Sequence, residues 1–176
     1  MRSLPKLKTY TTKSAKEVQI CIAPPHQFVL NQRQQLLPGW NVLISYLILL
    51  LQQSSISLKE SSPEVALEKD ALRAKFMLFG RSLIFALQAQ EYQSDLFDPR
   101  TGYPLFARPG ITFDDNAVVK AMLKYPVISY RQCSLLIHPV WGNKVYPSTI
   151  VTSAPANILD SCLQQAIANQ NWQLKN

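Results

Sequence analysis

Glycine, histidine and cysteine are scarce in this chain, whose 176 residues include five glycines, two histidines and three cysteines. No segment matches GxGxxG, GxxxxGKS/T, GxSxG or HExxH, the patterns of dinucleotide sites, phosphate loops, nucleophilic serines and zinc centres. With so few glycines, no loop is glycine-rich enough to surround a phosphate with backbone N–H groups. The sequence therefore predicts no phosphate chemistry, and we assign no catalytic residue.

Long hydrophobic runs are also missing. The most apolar stretch, residues 42–51, holds ten residues and is interrupted by Ser45 and Tyr46. A transmembrane helix needs about 20 apolar residues, so this stretch predicts a buried strand, and we expect no membrane partner. The start of the chain lacks the apolar block of a secretory signal.

The three cysteines, Cys21, Cys133 and Cys162, lie far apart and form no CxxC pair. An odd number of thiols cannot form a closed set of disulfides, so we expect a reducing compartment and a cytoplasmic protein. Cys21 and His26 repeat the C-x4-H spacing of Cys133 and His138, which would supply a Cys2His2 zinc set if folding brought them together. This spacing matches no standard zinc pattern, so we predict no metal site and keep a zinc-stabilised module as an alternative.

Acidic residues are absent before Glu17, whereas five basic side chains lie in residues 1–16. The formal net charge is +7, so this segment carries +5 and the remainder, with 13 basic and 11 acidic residues, carries +2. We predict a flexible basic tail over 1–16 and a single domain over 17–176, with an organelle transit peptide as the alternative for the tail. No downstream stripe of basic and aromatic residues indicates nucleic-acid binding, so we expect no nucleic-acid partner.

Hydrophobic periodicity predicts the elements of the first half. Alternation over 18–22 indicates a strand that ends at the Pro24-Pro25 pair. Residues 27–37 are predicted to form a surface helix, and the apolar run 42–51 a central strand covered on both faces. Apolar residues at helical spacing predict a long helix over 69–90, with one face formed by Leu72, Phe76, Phe79, Leu83 and Leu87. Its start is open between an N-cap at Ser62 and a strand over 64–68.

In the second half, Asp98-Pro99 and Gly102 predict a β-hairpin over 94–106. Residues 114–123 are predicted to form a helix. Two strands, 132–137 and 145–152, are predicted to close the sheet, the second bulged or at an edge because of Pro147. A final amphipathic helix follows Pro155. The irregular order of elements predicts an α+β fold, an antiparallel-rich sheet packed with helices.

Two segments hold candidate functional side chains. Arg131 lies two residues before Cys133, and a neighbouring cation favours the thiolate, which is the reactive and metal-binding form of cysteine; a buried core cysteine is the alternative. Trp141 and Gly142 form either part of a recognition surface or a packing plug at a core edge. The close carboxylates Asp95, Asp98, Asp114 and Asp115 are explained by turns and helix capping.

Several of these segments together resemble the methylmalonic aciduria and homocystinuria type D protein family. The likeness lies in residues 83–92, in Phe97-Asp98-Pro99 with Gly102, and in the order and spacing of Cys133, His138 and Trp141-Gly142. It covers about residues 17–168. The resemblance implies a nitroreductase-like fold without a flavin, and a non-enzymatic protein that binds no cobalamin alone. It implies an adaptor in cobalamin (vitamin B12) trafficking that docks on a cobalamin-processing type C protein and helps route the cofactor to methionine synthase and methylmalonyl-CoA mutase.

The resemblance also implies a cobalt-binding thiolate. Animal members of the family have adjacent cysteines at the positions of Gln132 and Cys133, and the first is assigned to cobalt; here only Cys133 is a cysteine. Cys133 is therefore the candidate thiolate, and the candidate interaction surface consists of Arg131, His138, Trp141 and Gly142. Because the implied fold also hosts flavin enzymes, a flavin-dependent nitroreductase-like reductase is the alternative, with Arg100 and Arg108 as phosphate ligands.

Overall fold

The computed structural model describes Pro5 and residues 7–176. Its elements in chain order are β1 Leu7–Thr11, β2 Glu17–Ala23, α1 Gln27–Asn31, α2 Arg33–Leu36, β3 Tyr46–Gln53, α3 Pro63–Ala89, β4 Ser94–Phe97, α4 Asp115–Leu123, β5 Val127–Tyr130, β6 Cys133–Leu136, β7 Val145–Thr152, α5 Ala156–Asn169 and β8 Gln173–Leu174. Helices pack against antiparallel strands, which confirms the predicted α+β class. No helix in the described part of the chain is long and apolar enough to cross a membrane.

Six strands form one antiparallel sheet in the order β4-β7-β3-β2-β1-β8. β3 lies inside this sheet and is apolar on both faces, as the run at 42–51 predicted. Leu47, Leu49 and Leu51 join one hydrophobic cluster with α4, whereas Ile48 and Leu50 join another with α3 and α5. The prediction of a central strand is confirmed, although the strand begins only at Tyr46.

The long helix α3 is confirmed, and its start is the N-cap alternative. The Ser62 hydroxyl accepts a hydrogen bond from the backbone N–H of Val65, and Pro63 occupies the first turn, where its missing N–H costs nothing. The helix buries the predicted face against the sheet. At Gly80 the side chain of Leu96 comes so close that an added Cβ would lie 2.6 Å from Leu96 Cδ2, so glycine allows β4 to approach α3.

The predicted flexible tail is corrected where it overlaps β1. Leu7–Thr11 pairs with β2 in the register Thr9 to Gln19, and the ring of Tyr10 is buried in the core. Pairing with β2 and β8 and burial of the Tyr10 ring order this segment despite its basic composition. Residues 1–4 and 6 of the predicted tail lie outside the described residues.

The two strands predicted to close the sheet are separated in the structure. β7 lies in the main sheet between β4 and β3, but β6 pairs only with β5, which was not predicted, in a two-stranded hairpin. Pro147 lies at a local edge, because β4 ends at Phe97 opposite Thr149 and leaves the preceding part of β7 unpaired on that side. The predicted hairpin over 94–106 is reduced to β4 and a single bridge between Phe97 and Pro104.

The helix predicted over 27–37 divides into α1 and α2 at Gln32, and α4 and α5 confirm the two later helices. The specific likeness to nitroreductases stays a prediction.

A candidate thiol hairpin and an adjoining cleft

The candidate thiolate lies at the tip of the β5–β6 hairpin. Arg131 and Gln132 form its two-residue turn with φ values of 46° and 66°. Positive φ at both central residues is the geometry of a type I′ turn, whose twist matches that of the strands it joins. Cys133 follows as the first residue of β6, pairs with Tyr130, and is an exposed free cysteine. Gln132 therefore lies in the turn, where strand alternation does not set its direction.

Side chains from the loop before α3 contact this hairpin. The Tyr130 hydroxyl donates to Glu60 Oε1 at 3.1 Å, and Arg131 Nη1 lies 3.5 Å from Glu60 Oε2. The Lys59 ammonium is 4.3 Å from the centre of the Tyr130 ring, within cation–π range. Both Arg131 and Cys133 remain exposed, so a cation and a thiol are presented together at the tip.

His138 and Trp141, two of the candidate interaction residues, are buried at 2% and 7% exposure. Their rings stack with centroids 3.9 Å apart. His138 Nδ1 accepts hydrogen bonds from the backbone N–H groups of Val140 and Trp141 at 3.1 and 3.0 Å, so the ring proton lies on Nε2, which donates to Gln19 Oε1 at 2.8 Å. Burial lowers the pKa of His138 to about 4, against the opposing effect of Glu17.

The loop after β6 is thus held to β2 by side chains. Trp141 Nε1 donates to Glu17 Oε2 at 3.3 Å, and Gly142 takes a φ of 59° while exchanging backbone hydrogen bonds with His138. In this conformation the two rings pack and do not face solvent. Their part, and that of Gly142, in an interaction stays a prediction.

The structure does not bring together the four side chains of the zinc alternative. Cys21 is fully buried, where desolvation raises the pKa of its thiol to about 11, while His26 is exposed at the start of α1. Cys133 lies at the hairpin tip, and His138 uses both ring nitrogens in hydrogen bonds. Within Pro5 and residues 7–176, no group of three or more histidine, cysteine or acidic residues could hold a metal ion.

A cleft of about 720 Å³ adjoins the hairpin. It lies between β6, the first half of α3, the turn over 99–102, the start of α4 and the free edge of β7. The charged side chains of its wall are Lys69, Asp70, Arg73, Arg100, Asp114 and Asp115. Arg73 pairs with Asp98 through two hydrogen bonds, of which Nε to Oδ1 is 2.7 Å, and this contact lowers the pKa of Asp98.

Asp115 is a feature of the cleft that sequence reasoning assigned only to a helix start. Its Oδ1 accepts a hydrogen bond of 2.7 Å from the Thr149 hydroxyl of β7. Burial raises the pKa of Asp115 to about 7, opposed by the Thr149 bond and reinforced by the charges of Asp114 and Asp98. The Asp-Asp pair at a helix start was the only sequence signal, and it does not reveal that Asp115 is half-buried while Asp114 is exposed.

The cleft does not suit the phosphate of a flavin. Arg100, one of the two predicted phosphate ligands, lies 3.8 Å from Asp70, and Arg73 pairs with Asp98. Arg108 is exposed and does not line the cleft. A phosphate here would displace carboxylates from both arginines and face those of α4, which argues against the flavin alternative.

Comparison with known proteins identifies the family of this chain. A family model for the methylmalonic aciduria and homocystinuria type D protein matches residues 2–163. This chain belongs to that family. The prediction made from the order of Phe97, Cys133, His138 and Trp141 is confirmed, and the match begins before residue 17.

Individual relatives carry a related name. A rat protein, cobalamin trafficking protein CblD, is 28% identical over 101 residues, which cover 54% of this chain and 33% of the relative. The human protein of the same name is 26% identical over 98 residues, or 53% of this chain and 32% of the relative. The matched segment thus spans about a third of the curated relatives.

Proposed function

We propose that this chain is a non-enzymatic cobalamin-trafficking adaptor that docks on a cobalamin-processing type C-like protein through its β5–β6 hairpin. The observation that carries the proposal is an exposed thiol, Cys133, at the tip of a surface hairpin in a member of the type D family. The names of the relatives support a role in cobalamin trafficking. The cytoplasmic location predicted from the free thiols is part of the proposal.

The hairpin suits ligation of a metal carried by another protein. In the complex, the Cys133 thiol would give up its proton to solvent, and its sulfur would bind the cobalt of the carried cobalamin in place of the ligand held there before, with no change in oxidation state. Arg131, which pairs with Glu60, is exposed beside the thiol, and the ordered turn presents the thiol at little entropic cost. Cobalamin is then contacted only in the complex, and the chain binds none alone.

The cobalt ligand is tested by mixing the purified chain with a cobalamin-loaded type C protein under reducing conditions. Gel filtration detects the complex, and the visible absorption spectrum detects a change of axial ligand. Cys133→Ser is expected to keep the complex and lose the spectral change. Cys162→Ser is the matched control, because this cysteine lies on α5, away from the hairpin, and should change neither readout.

Two results would contradict the proposal. Failure of the unaltered chain to form any complex removes the adaptor role, and an unchanged spectral shift in Cys133→Ser removes the thiolate. A third variant, Gln132→Cys in the Cys133→Ser background, tests position 132. Recovery of the spectral change would show that a thiol in the turn reaches cobalt as well as one at the first strand position.

Transfer onward to methionine synthase, methylmalonyl-CoA mutase or both is the last part of the proposal. It is tested by following the cofactor from the complex to each apoenzyme, with the type C protein alone as the reference. Acceleration by this chain of delivery to at least one acceptor is expected, and equal rates with and without the chain would refute routing.

A further inference from the structure

The outward side of α3 bears a narrow exposed ridge that no other element covers within the described residues. The ridge consists of Leu67, Ala71, Ala74, Leu78, Arg81, Phe85 and Gln88, all of them exposed. These residues are spaced alternately by four and three, the interval of a helix–helix seam. The large apolar residues among them are Leu67, Leu78 and Phe85, which are 71%, 63% and 56% exposed.

The order of side chains along this ridge is complementary to itself when it is reversed. If a second copy of α3 lies antiparallel with its midpoint at the same level, Leu67 faces Phe85 and Ala74 faces Leu78. The next position places Ala71 opposite Arg81. The two inner pairs each join a large residue with alanine, and the outer pair joins two large apolar residues, so the helix axes can approach to about 8–10 Å.

The charges of α3 are complementary in the same orientation. Its first half, 63–73, contains Glu64, Glu68 and Asp70 with Lys69 and Arg73. Because Arg73 pairs with Asp98 and Asp70 with Arg100, the remaining side chains Glu64, Glu68 and Lys69 carry a net charge of −1. Its second half, 74–89, contains Lys75 and Arg81 and no acidic residue. An antiparallel pair brings each acidic half beside a basic half and sets the opposed helix dipoles favourably, whereas a parallel pair places like charges together.

The ridge continues onto the loop after β4. The ring of Phe106 is 47% exposed and lies 5.9 Å from the ring of Phe85. From Leu67 to Gln88 the ridge is about 30 Å long at 1.5 Å per residue. A contact between two such surfaces falls at the small end of specific interfaces, where association is weak and reversible.

We propose that the α3 ridge binds the α3 ridge of a second copy of this chain in antiparallel register about residue 76. This self-association uses a surface distinct from the β5–β6 hairpin and does not rest on the cobalamin function. A dimer of this kind presents two copies of the thiol hairpin.

Sedimentation velocity of the full chain tests the association. We expect the weight-average mass to rise with concentration from 19.9 kDa toward twice that value. Leu78→Glu places an anion near the two-fold axis of the apolar seam and should abolish this rise. Leu43→Glu is the matched control, because Leu43 is 75% exposed but lies off α3, and it should dimerise like the unaltered chain. Circular dichroism verifies that both variants fold.

Cysteine cross-linking tests the register in a background in which Cys133 and Cys162 are serine. Leu67→Cys mixed with Phe85→Cys should form a disulfide-linked dimer on mild oxidation. Each variant alone should not, because 18 residues separate the two positions, or about 27 Å along the antiparallel pair.

A chain that remains monomeric at all concentrations, or a Leu78→Glu variant that dimerises normally, overturns the proposal. Cross-linking of Leu67→Cys with itself shows a parallel pair and overturns the register. If the unaltered chain stays monomeric and Leu78→Glu instead blocks the complex with the type C protein, the ridge is a site for that partner and the second-copy proposal fails, while the adaptor proposal stands.

Discussion

The carboxylate of Asp95 binds the backbone of residues 105–107, which follow the turn over 99–102. It is 1% exposed and accepts backbone hydrogen bonds from Leu96 and from Leu105, Phe106 and Ala107, with distances from 2.7 to 3.3 Å. Burial raises the pKa of Asp95, and the four N–H donors oppose that rise. A carboxylate provides acceptor sites for all four donors, and no neutral side chain of the same size does.

Asp95→Asn should therefore destabilise the chain by about 2–4 kcal/mol, because the amide group points a donor at backbone donors that have no other partner. Urea unfolding monitored by tryptophan fluorescence measures the loss. Asp114→Asn is the matched control: Asp114 caps α4 from an exposed position, and asparagine caps equally well. Equal stability of the two variants would contradict the role given to Asp95.

His138 should titrate far below an ordinary histidine. Its pKa is near 4 in the folded chain and near 6.5 when unfolded. The unfolded chain therefore takes up this proton first, so the contribution of His138 to stability is complete above about pH 6.5 and is lost as the pH falls toward 4. The pH dependence of the imidazole NMR signals measures it, with His26→Gln to assign the two histidines. A titration midpoint of His138 above pH 6 would show that its Nδ1 does not accept the hydrogen bonds from Val140 and Trp141.

At the scale of elements, the β5–β6 hairpin contains a turn made by two residues that are not glycine. An L-residue in the left-handed region costs roughly 1–2 kcal/mol, and type I′ turns strongly favour Asn-Gly. The structure nevertheless places Arg131 and Gln132 there. This strained turn precedes the only exposed cysteine among the three, so strain coincides with the proposed contact to cobalt.

Gln132→Gly should stabilise the hairpin by about 0.5–1 kcal/mol, since glycine adopts positive φ without a steric penalty but loses more backbone entropy on folding. Hydrogen exchange at the amides of Val127–Tyr130 measures the local effect. Ser134→Gly, two residues further on in β6, should destabilise the same hairpin, because that position is extended. Faster exchange in both variants would exclude the type I′ turn.

Elements with strong periodicity could be predicted from the sequence. The five-residue face from Leu72 to Leu87 and the two-sided apolar run near Leu47 to Leu51 led to α3 and β3, because burial dominates their stability. β1 and β5 were missed. Each has only four or five residues, and each is stabilised by pairing with a partner strand, which leaves little periodic signal.

At the scale of the whole molecule, Asp115 and His138 give pH dependences of opposite sign. The pKa of Asp115 is raised to about 7 in the folded chain, whereas an unfolded aspartate titrates near 3.9. As the pH rises, the folded chain therefore keeps the proton on Asp115 up to a higher pH than the unfolded chain does. The contribution of Asp115 is complete below about pH 4 and is lost as the pH rises through 7, where that of His138 is already complete.

Asp115→Asn should remove the loss at high pH, because the amide resembles the neutral acid and its oxygen can still accept from Thr149. Its stability relative to the unaltered chain should rise between pH 5 and pH 8 by at least about 1.4 kcal/mol, the equivalent of one pKa unit. Urea unfolding at both pH values measures this difference, in which the His138 contribution cancels. Asp114→Asn should show no such change with pH. If the stability of Asp115→Asn relative to the unaltered chain is equal at pH 5 and pH 8, the carboxylate of Asp115 lies in solvent.

The candidate site shows the same division between local and long-range information. Cys133 was found from its neighbours and from the family order, and the structure leaves it exposed. His138 and Trp141 were found from the same order, yet they are buried, because contacts with Gln19 and Glu17 more than 100 residues earlier in the chain draw their loop onto β2. The cleft and the raised pKa of the half-buried Asp115 were not predicted at all.

The sequence by itself determined the α+β class, the long helix, the central strand and the family, because periodicity and the order of motifs are local properties of the chain. Only the tertiary structure decided which strands share a sheet, that β6 leaves the main sheet to pair with β5, and which titratable side chains are buried. Those outcomes depend on pairing and desolvation between segments far apart in sequence, and no local pattern records which segments will meet.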